Sequence, residues 1–107
     1  MNIQRRPYTR DVSAALHDAL RSPRQARVLS TLYSSRQWLR REEVDRIAGA
    51  SNGPAVVGCL RSILGYGAIE TRRVEVTDRD GRKAKPGEYL LTEAGRKAVQ
   101  QLLNKQQ

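Results

Sequence analysis

The sequence predicts a single α+β domain: a run of helices with one short strand among them, then a β-hairpin, then a closing helix. Three observations carry this. The length, 107 residues, suits one ordinary domain. Hydrophobic residues make up 38% and charged residues 29%, with no Phe, one Trp and four Tyr. Leu, Val, Ile and Ala must therefore build a lean interior. Apolar positions recur at helical spacing as far as residue 64, and β-branched residues alternating with charges follow around an Asp-Gly turn.

Residues 1–10 carry three Arg, one Pro and no apolar period, and read as a flexible basic arm. The domain proper is expected over 11–103, with a frayed tail at 104–107. From Asp11 the pattern is helical: Asp11 or Ser13 can cap, and Val12, Leu16 and Leu20 fall on one face. Ser22-Pro23 restarts a helix, Ser as N-cap and Pro at the first helical position. Ala26, Val28, Leu29, Leu32 and Tyr33 give it an apolar stripe, and it should end near Ser34-Ser35. Gln37-Trp38-Leu39 reads as a short strand. Arg41–Ala48 is helical, with Val44, Ile47 and Ala48 inward and Glu42 and Glu43 in the first turn, where the helix dipole favours acids. Gly49 stops it.

Ser51 or Asn52 caps the next helix, Pro54–Leu64, whose buried face is Val56, Val57, Leu60, Ile63 and Leu64. Gly65 and Gly67 end it. Ile69–Val76 is a strand in which Ile69 and Val74 have opposite parity, so a bulge or an early end is expected. Asp80-Gly81 marks the turn of a hairpin, Pro86-Gly87 breaks the chain, and Glu88–Leu91 returns. Thr92 caps a last helix with Glu93 just inside it and Ala94, Ala98 and either Val99 or Leu102 inward.

Composition narrows function before any motif does. Lys+Arg total 20 against 11 acids, for a net charge of +9 and a pI near 10.6. A balance that basic points to a polyanion: DNA, RNA or an anionic membrane surface. One Cys excludes a disulfide framework and a Cys-based zinc site, and one His excludes most His-rich metal sites. No stretch approaches the ~18 apolar residues of a membrane-spanning helix, and MNIQRRPYTR lacks the apolar run of a secretory signal. A soluble cytoplasmic protein that uses no cofactor is expected. No nucleophile, base and acid fall into a catalytic pattern, so an enzyme is not.

The order of elements has a family likeness. Residues 24–98 resemble a winged helix-turn-helix domain: a three-helix core and a two-stranded wing, here with extra N-terminal and C-terminal helices. The residues that carry it are Arg41–Ala48, the turn Gly49-Ala50, helix Pro54–Leu64, the exit Gly67-Ala68-Ile69-Glu70-Thr71-Arg72, and Tyr89-Leu90-Leu91-Thr92-Glu93-Ala94-Gly95. The last stretch is similar to the Y-x-L-T-x-x-G end of the wing in many bacterial regulators. The small size, basic arm and Asp-Gly-Arg wing also resemble short phage- and prophage-type winged-helix proteins.

The resemblance implies double-stranded DNA binding, with helix Pro54–Leu64 in the major groove. Its N-terminus is expected to offer backbone N–H groups to a phosphate. With Leu60 at the core, Ala55, Gly58 and Ser62 face outward, Cys59 and Arg61 flank them, and Ser51 and Asn52 stand at the start. Ala can meet a thymine methyl, Arg61 a guanine and Asn52 an adenine. The wing, 77–86, brings Arg79, Arg82, Lys83 and Lys85 to the backbone or a minor groove. Arg40 and Arg41 suit phosphates, and Arg5, Arg6 and Arg10 of the arm could enter a minor groove. By block, residues 1–10 carry +3, 21–34 carry +3, 77–86 carry +2 and 11–20 carry −2.

Each assignment has a plainer counterpart: a solvated hairpin tip, a solubilising tail, an Arg pair balanced by Glu42 and Glu43, or a helix face that meets protein. His17 has only Asp18 beside it, and Cys59 and Trp38 read as packing residues. The leading function is transcriptional regulation of phage or mobile-element genes. The alternatives are a protein-interaction module on the same scaffold and an architectural accessory factor in phage replication or recombination. A homodimer on paired half-sites is expected, with Val12, Leu16 and Leu20 or Val99, Leu102 and Leu103 as its surface.

Overall fold

The computed structural model describes the backbone of residues 8–49 and 52–105, and the side chains of 12–49 and 52–105. Helix α1 spans Tyr8–Ala19, so it begins inside the expected arm. Pro7 fits only a helix's first turn or the chain before it, and nothing in Tyr8-Thr9-Arg10 breaks a helix. Asp11 and Ser13 consequently lie within α1 and not at its start. Helix α2, Pro23–Ser34, opens as predicted: the Ser22 side chain accepts from the Gln25 amide, and Pro23 occupies the first turn. Strand β1 is only Leu39–Arg40. Helix α3, Arg41–Ala48, follows at once, and the Arg40 amide donates to Glu43 Oε1 at 3.0 Å. Gly49, at φ 83°, closes it in the left-handed region where glycine costs least.

Helix α4 spans Gly53–Leu64. A 3-10 turn, Tyr66–Ala68, leads into β2, Ile69–Arg73. The hairpin does not run as one ladder. It breaks after Arg73, and a separate two-stranded tip forms from β3, Val76–Thr77, and β4, Lys83–Ala84. The reason lies on the opposing strand. Pro86 has no N–H to give, and it only accepts, from the Val74 amide at 3.2 Å. The predicted irregularity thus appears as a break rather than a bulge. Asp78 organises the tip: its Oδ1 accepts from the amides of Asp80 (2.9 Å) and Arg82 (2.8 Å), and Gly81 takes φ 80°.

Strand β5, Gly87–Leu91, lies in the middle of a three-stranded antiparallel sheet ordered β1-β5-β2. Its register pairs Leu39 with Tyr89 on one side and Ile69 with Leu91 on the other. Helix α5, Glu93–Asn104, closes the chain, with the Thr92 hydroxyl accepting from the Gly95 amide. Its buried positions are Gly95, Val99 and Leu103; Ala98 and Leu102 are half-buried and Ala94 is exposed. Val99 faces inward, as one of the two expected alternatives, but Ala94 and Ala98 give way to Gly95, which must face Ala68.

One core joins these elements. Leu16, Leu29, Leu32, Leu60 and Ile69 are its largest fully buried side chains, each contributing roughly 1.5–3 kcal/mol by burial. Two guanidiniums tie helix ends together. Arg27 on α2 donates to the Ile47 and Ala48 carbonyls at the end of α3 (2.9 and 2.8 Å). Arg96 on α5 donates to the Tyr33 and Ser35 carbonyls at the end of α2 (2.8 and 2.9 Å). Val12, Leu16, Leu20, Val99 and Leu103, expected as dimer surfaces, belong to this core. Helix α1 packs on α2 and α5 of its own chain, so those apolar faces are already covered. No helix among the described residues is long and apolar enough to cross a membrane.

Candidate nucleic-acid interface

Helices α3 and α4 pack against each other and against α2, joined by a short connection beginning at Gly49. The N-terminus of α4 is held by a residue on α3: the Gly53 amide donates to Asp45 Oδ1 at 2.7 Å. Asn52, at the cap position, makes no side-chain capping bond, and Ser51 lies outside the described residues. The expected row of free N–H groups is absent here. Gly53 is taken by Asp45, Pro54 has no N–H, and the Ala55 and Val56 amides donate to the Asn52 carbonyl (3.1 and 3.2 Å). The Asp45 carboxylate also sets a negative charge where a phosphate would have docked.

The outward face of α4 is as the helical wheel predicts. Asn52, Ala55, Gly58 and Ser62 are exposed. A Cβ built on Gly58 meets nothing within 4 Å, so Gly58 packs against no neighbour among the described residues. The Ser62 hydroxyl donates back to the Gly58 carbonyl at 3.2 Å. Cys59 is an exposed free thiol rather than a packing residue. Ile63, expected in the core, is 46% exposed, and Tyr66 just beyond the helix is 85% exposed.

Arg61 departs most from its expected role. Its Nε and Nη2 donate to the Ile69 carbonyl at 3.0 and 2.7 Å, and Nη2 also reaches Thr71 Oγ1 at 2.5 Å. The side chain is turned onto β2, and a bidentate contact to guanine would have to break these bonds.

The wing is open. Arg79, Arg82, Lys83 and Lys85 are all exposed, and none forms an ion pair among the described residues, where the bridges are Arg40–Glu42, Arg41–Asp45 and Arg72–Glu88. Arg40 and Arg41 approach their carboxylates only at 3.8 and 3.7 Å, with side chains 67% and 52% exposed. Such pairs are worth about 0–1 kcal/mol and give way readily to another anion. Between the first turn of α3 and the foot of the wing lies a cavity of about 430 Å³. Arg40, Arg41, Glu42 and Asp45 line one wall; Val74, Val76, Pro86 and Glu88 line the other.

Of the arm, Arg5 and Arg6 lie outside the described residues, and Arg10 is described only as backbone of α1. Trp38, expected as core filler, is half-buried. The Arg72 guanidinium stands 4.3 Å over its ring and donates to Glu88 Oε1 at 2.9 Å. His17 is exposed, with Nδ1 bonded to the Ser13 carbonyl within its own helix. Among the described residues no group of three His, Cys, Asp or Glu side chains could hold a metal ion.

Two features of this region carry no local signal in the sequence. Asp45 lies eight residues before the amide it caps, so no capping pattern marks it. The apolar wall Val74-Val76-Pro86 shows only the features of strand and turn. Comparison of the chain with protein-family models, with curated proteins and with solved structures finds no match in any of the three.

Proposed function

We propose that this chain is a winged helix-turn-helix domain that binds double-stranded DNA, with α4 in the major groove and the wing along the backbone or minor groove. The observation that carries the reading is the wing. Its four cations are exposed with no carboxylate partner among the described residues, on a hairpin tip whose foot, Val76 and Pro86, lines a cavity together with Arg40 and Arg41. That is how a surface built to neutralise phosphates is expected to look. The exposed α4 face adds room for close approach: its outward residues are small, and Gly58 leaves open space above the backbone. A transcriptional role in phage or mobile-element regulation extends the same resemblance. No cofactor enters the proposal.

The test is binding of the purified chain to duplex DNA by fluorescence anisotropy across a series of salt concentrations. Binding that weakens log-linearly with salt supports the reading. Absence of binding, or affinity independent of salt, overturns it. A second reading, a protein-interaction module, rests on one specific feature: from Ile47 to Ile69 the only charged residue is Arg61, and its guanidinium is engaged with β2. The exposed residues of this segment include the apolar Ile63 and Tyr66. That reading expects binding of a partner protein to survive loss of the wing cations.

A further inference from the structure

We propose that Arg61 is a positioning residue: it clamps the last turn of α4 to β2 and so fixes the recognition helix relative to the wing. The consequence for binding rests on the DNA reading above; the clamp itself does not.

The geometry is specific. Arg61 and Ile69 are eight residues apart, separated by Gly65 at φ 111° and by Gly67. A Cβ at either glycine would meet nothing within 4 Å, and α5 holds the turn only from its far end, through the Thr92 hydroxyl on the Gly67 carbonyl at 2.6 Å. Across it, one guanidinium makes two bonds to the Ile69 carbonyl and one to Thr71 Oγ1. Ile69 and Thr71 are the first and third residues of β2, the strand that leads into the wing. The planar fork of Arg suits this arrangement. A Lys ammonium keeps the charge but is a single point donor on a flexible stem.

The clamp has a functional meaning because binding with two elements at once depends on their mutual angle. A helix in one groove and a wing on the neighbouring backbone gain most from each other when they are already held in the binding geometry. Arg61 therefore acts on affinity through the wing and not by touching a base.

The test uses the full chain with two spin labels, one on the native Cys59 of α4 and one on Asp80→Cys at the wing tip, and reads their distance distribution without DNA. The expected result is a narrow distribution with Arg61 present and a broad one in Arg61→Lys. Thr71→Val, which removes only the Oγ1 acceptor, should broaden it partly and serves if Arg61→Lys fails to fold. In parallel, unlabelled Arg61→Lys should bind all duplexes about tenfold more weakly, with unchanged base preference. Neutralising the wing in that background should cost less than in the parent, since coupled contacts do not add. An unchanged distance distribution would overturn the clamp. So would a weakening confined to one base pair, or additive costs for Arg61→Lys and the wing. If the parent binds no DNA at all, the DNA reading fails while the label distances still decide the clamp.

Discussion

Gly95 lies directly beneath the carbonyl of Ala68. A Cβ built at Gly95 would overlap that oxygen and come within 2.7 Å of Leu91 Cδ1. The same carbonyl accepts from the Thr92 amide at 2.9 Å and from the Thr92 hydroxyl at 3.1 Å. The start of α5 is thus seated on the turn that follows α4, and only a residue without a side chain lets it come so close.

Gly95→Ala should therefore destabilise strongly, although glycine inside a helix is ordinarily the poorer choice. Overpacking costs about 1–3 kcal/mol, and the obstacle here is backbone, which cannot rotate away. A thermal melt should fall by roughly 4 °C for each kcal/mol. A melting temperature equal to the parent's would show that α5 can shift off Ala68.

Gly58→Ala is the opposite case. With open space above it, the substitution should leave stability unchanged or raise it by about 0.5–1 kcal/mol. Gly58→Glu should fold as well, yet lose DNA affinity by on the order of several kcal/mol through repulsion from phosphates. Melting curves and anisotropy on both variants check this. A stable Gly58→Glu protein that binds DNA normally would remove α4 from the groove.

Asp45→Ala should cost about 1–2 kcal/mol, the worth of an N-cap whose amide is left without its acceptor. Asp45→Asn keeps an oxygen for the Gly53 amide and should recover much of the stability. Hydrogen exchange at Gly53 gives the local readout: faster in Asp45→Ala, near the parent in Asp45→Asn. Equal exchange in all three proteins would mean that another group caps α4.

Replacing Arg79, Arg82, Lys83 and Lys85 by Ala should weaken binding to every duplex and reduce the slope of log affinity against log salt by roughly three to four units, about 0.9 for each phosphate no longer neutralised. The fold should survive, since all four side chains are exposed. An unchanged slope with intact affinity would take the wing off the DNA.

Local signals in the sequence are legible wherever the deciding partner is near in the chain. Ser22-Pro23 at the start of α2, Gly49 at the end of α3, and Thr92 at the start of α5 are all readable, because each cap bonds within four residues. The outward face of α4 follows from period alone. What escapes is set by distant backbone atoms. Arg61 reads as a surface cation until the Ile69 carbonyl is seen beside it. The inward face of α5 is decided by Ala68, not by the size of Ala94 or Ala98. The apolar ends of the chain look surplus to one core because nothing local says that α1 and α5 meet. Hydrophobicity places Cys59 and Ile63 inward, whereas the wheel centred on Leu60 leaves them at the rim.

The arginine ties carry a consequence for how such chains are compared by bulk charge. Arg27, Arg61, Arg72 and Arg96 each fasten two separate parts of the polypeptide through guanidinium nitrogens. Exchanging all four for lysine would leave the formal charge at +9, and isoelectric focusing would scarcely register the change. The forked donors would nevertheless be gone from the ends of α2 and α3, from β2 and from the Trp38 face. Part of what makes this protein basic is internal joinery, and two sequences of equal pI can differ widely in how much of that charge is free to meet a polyanion.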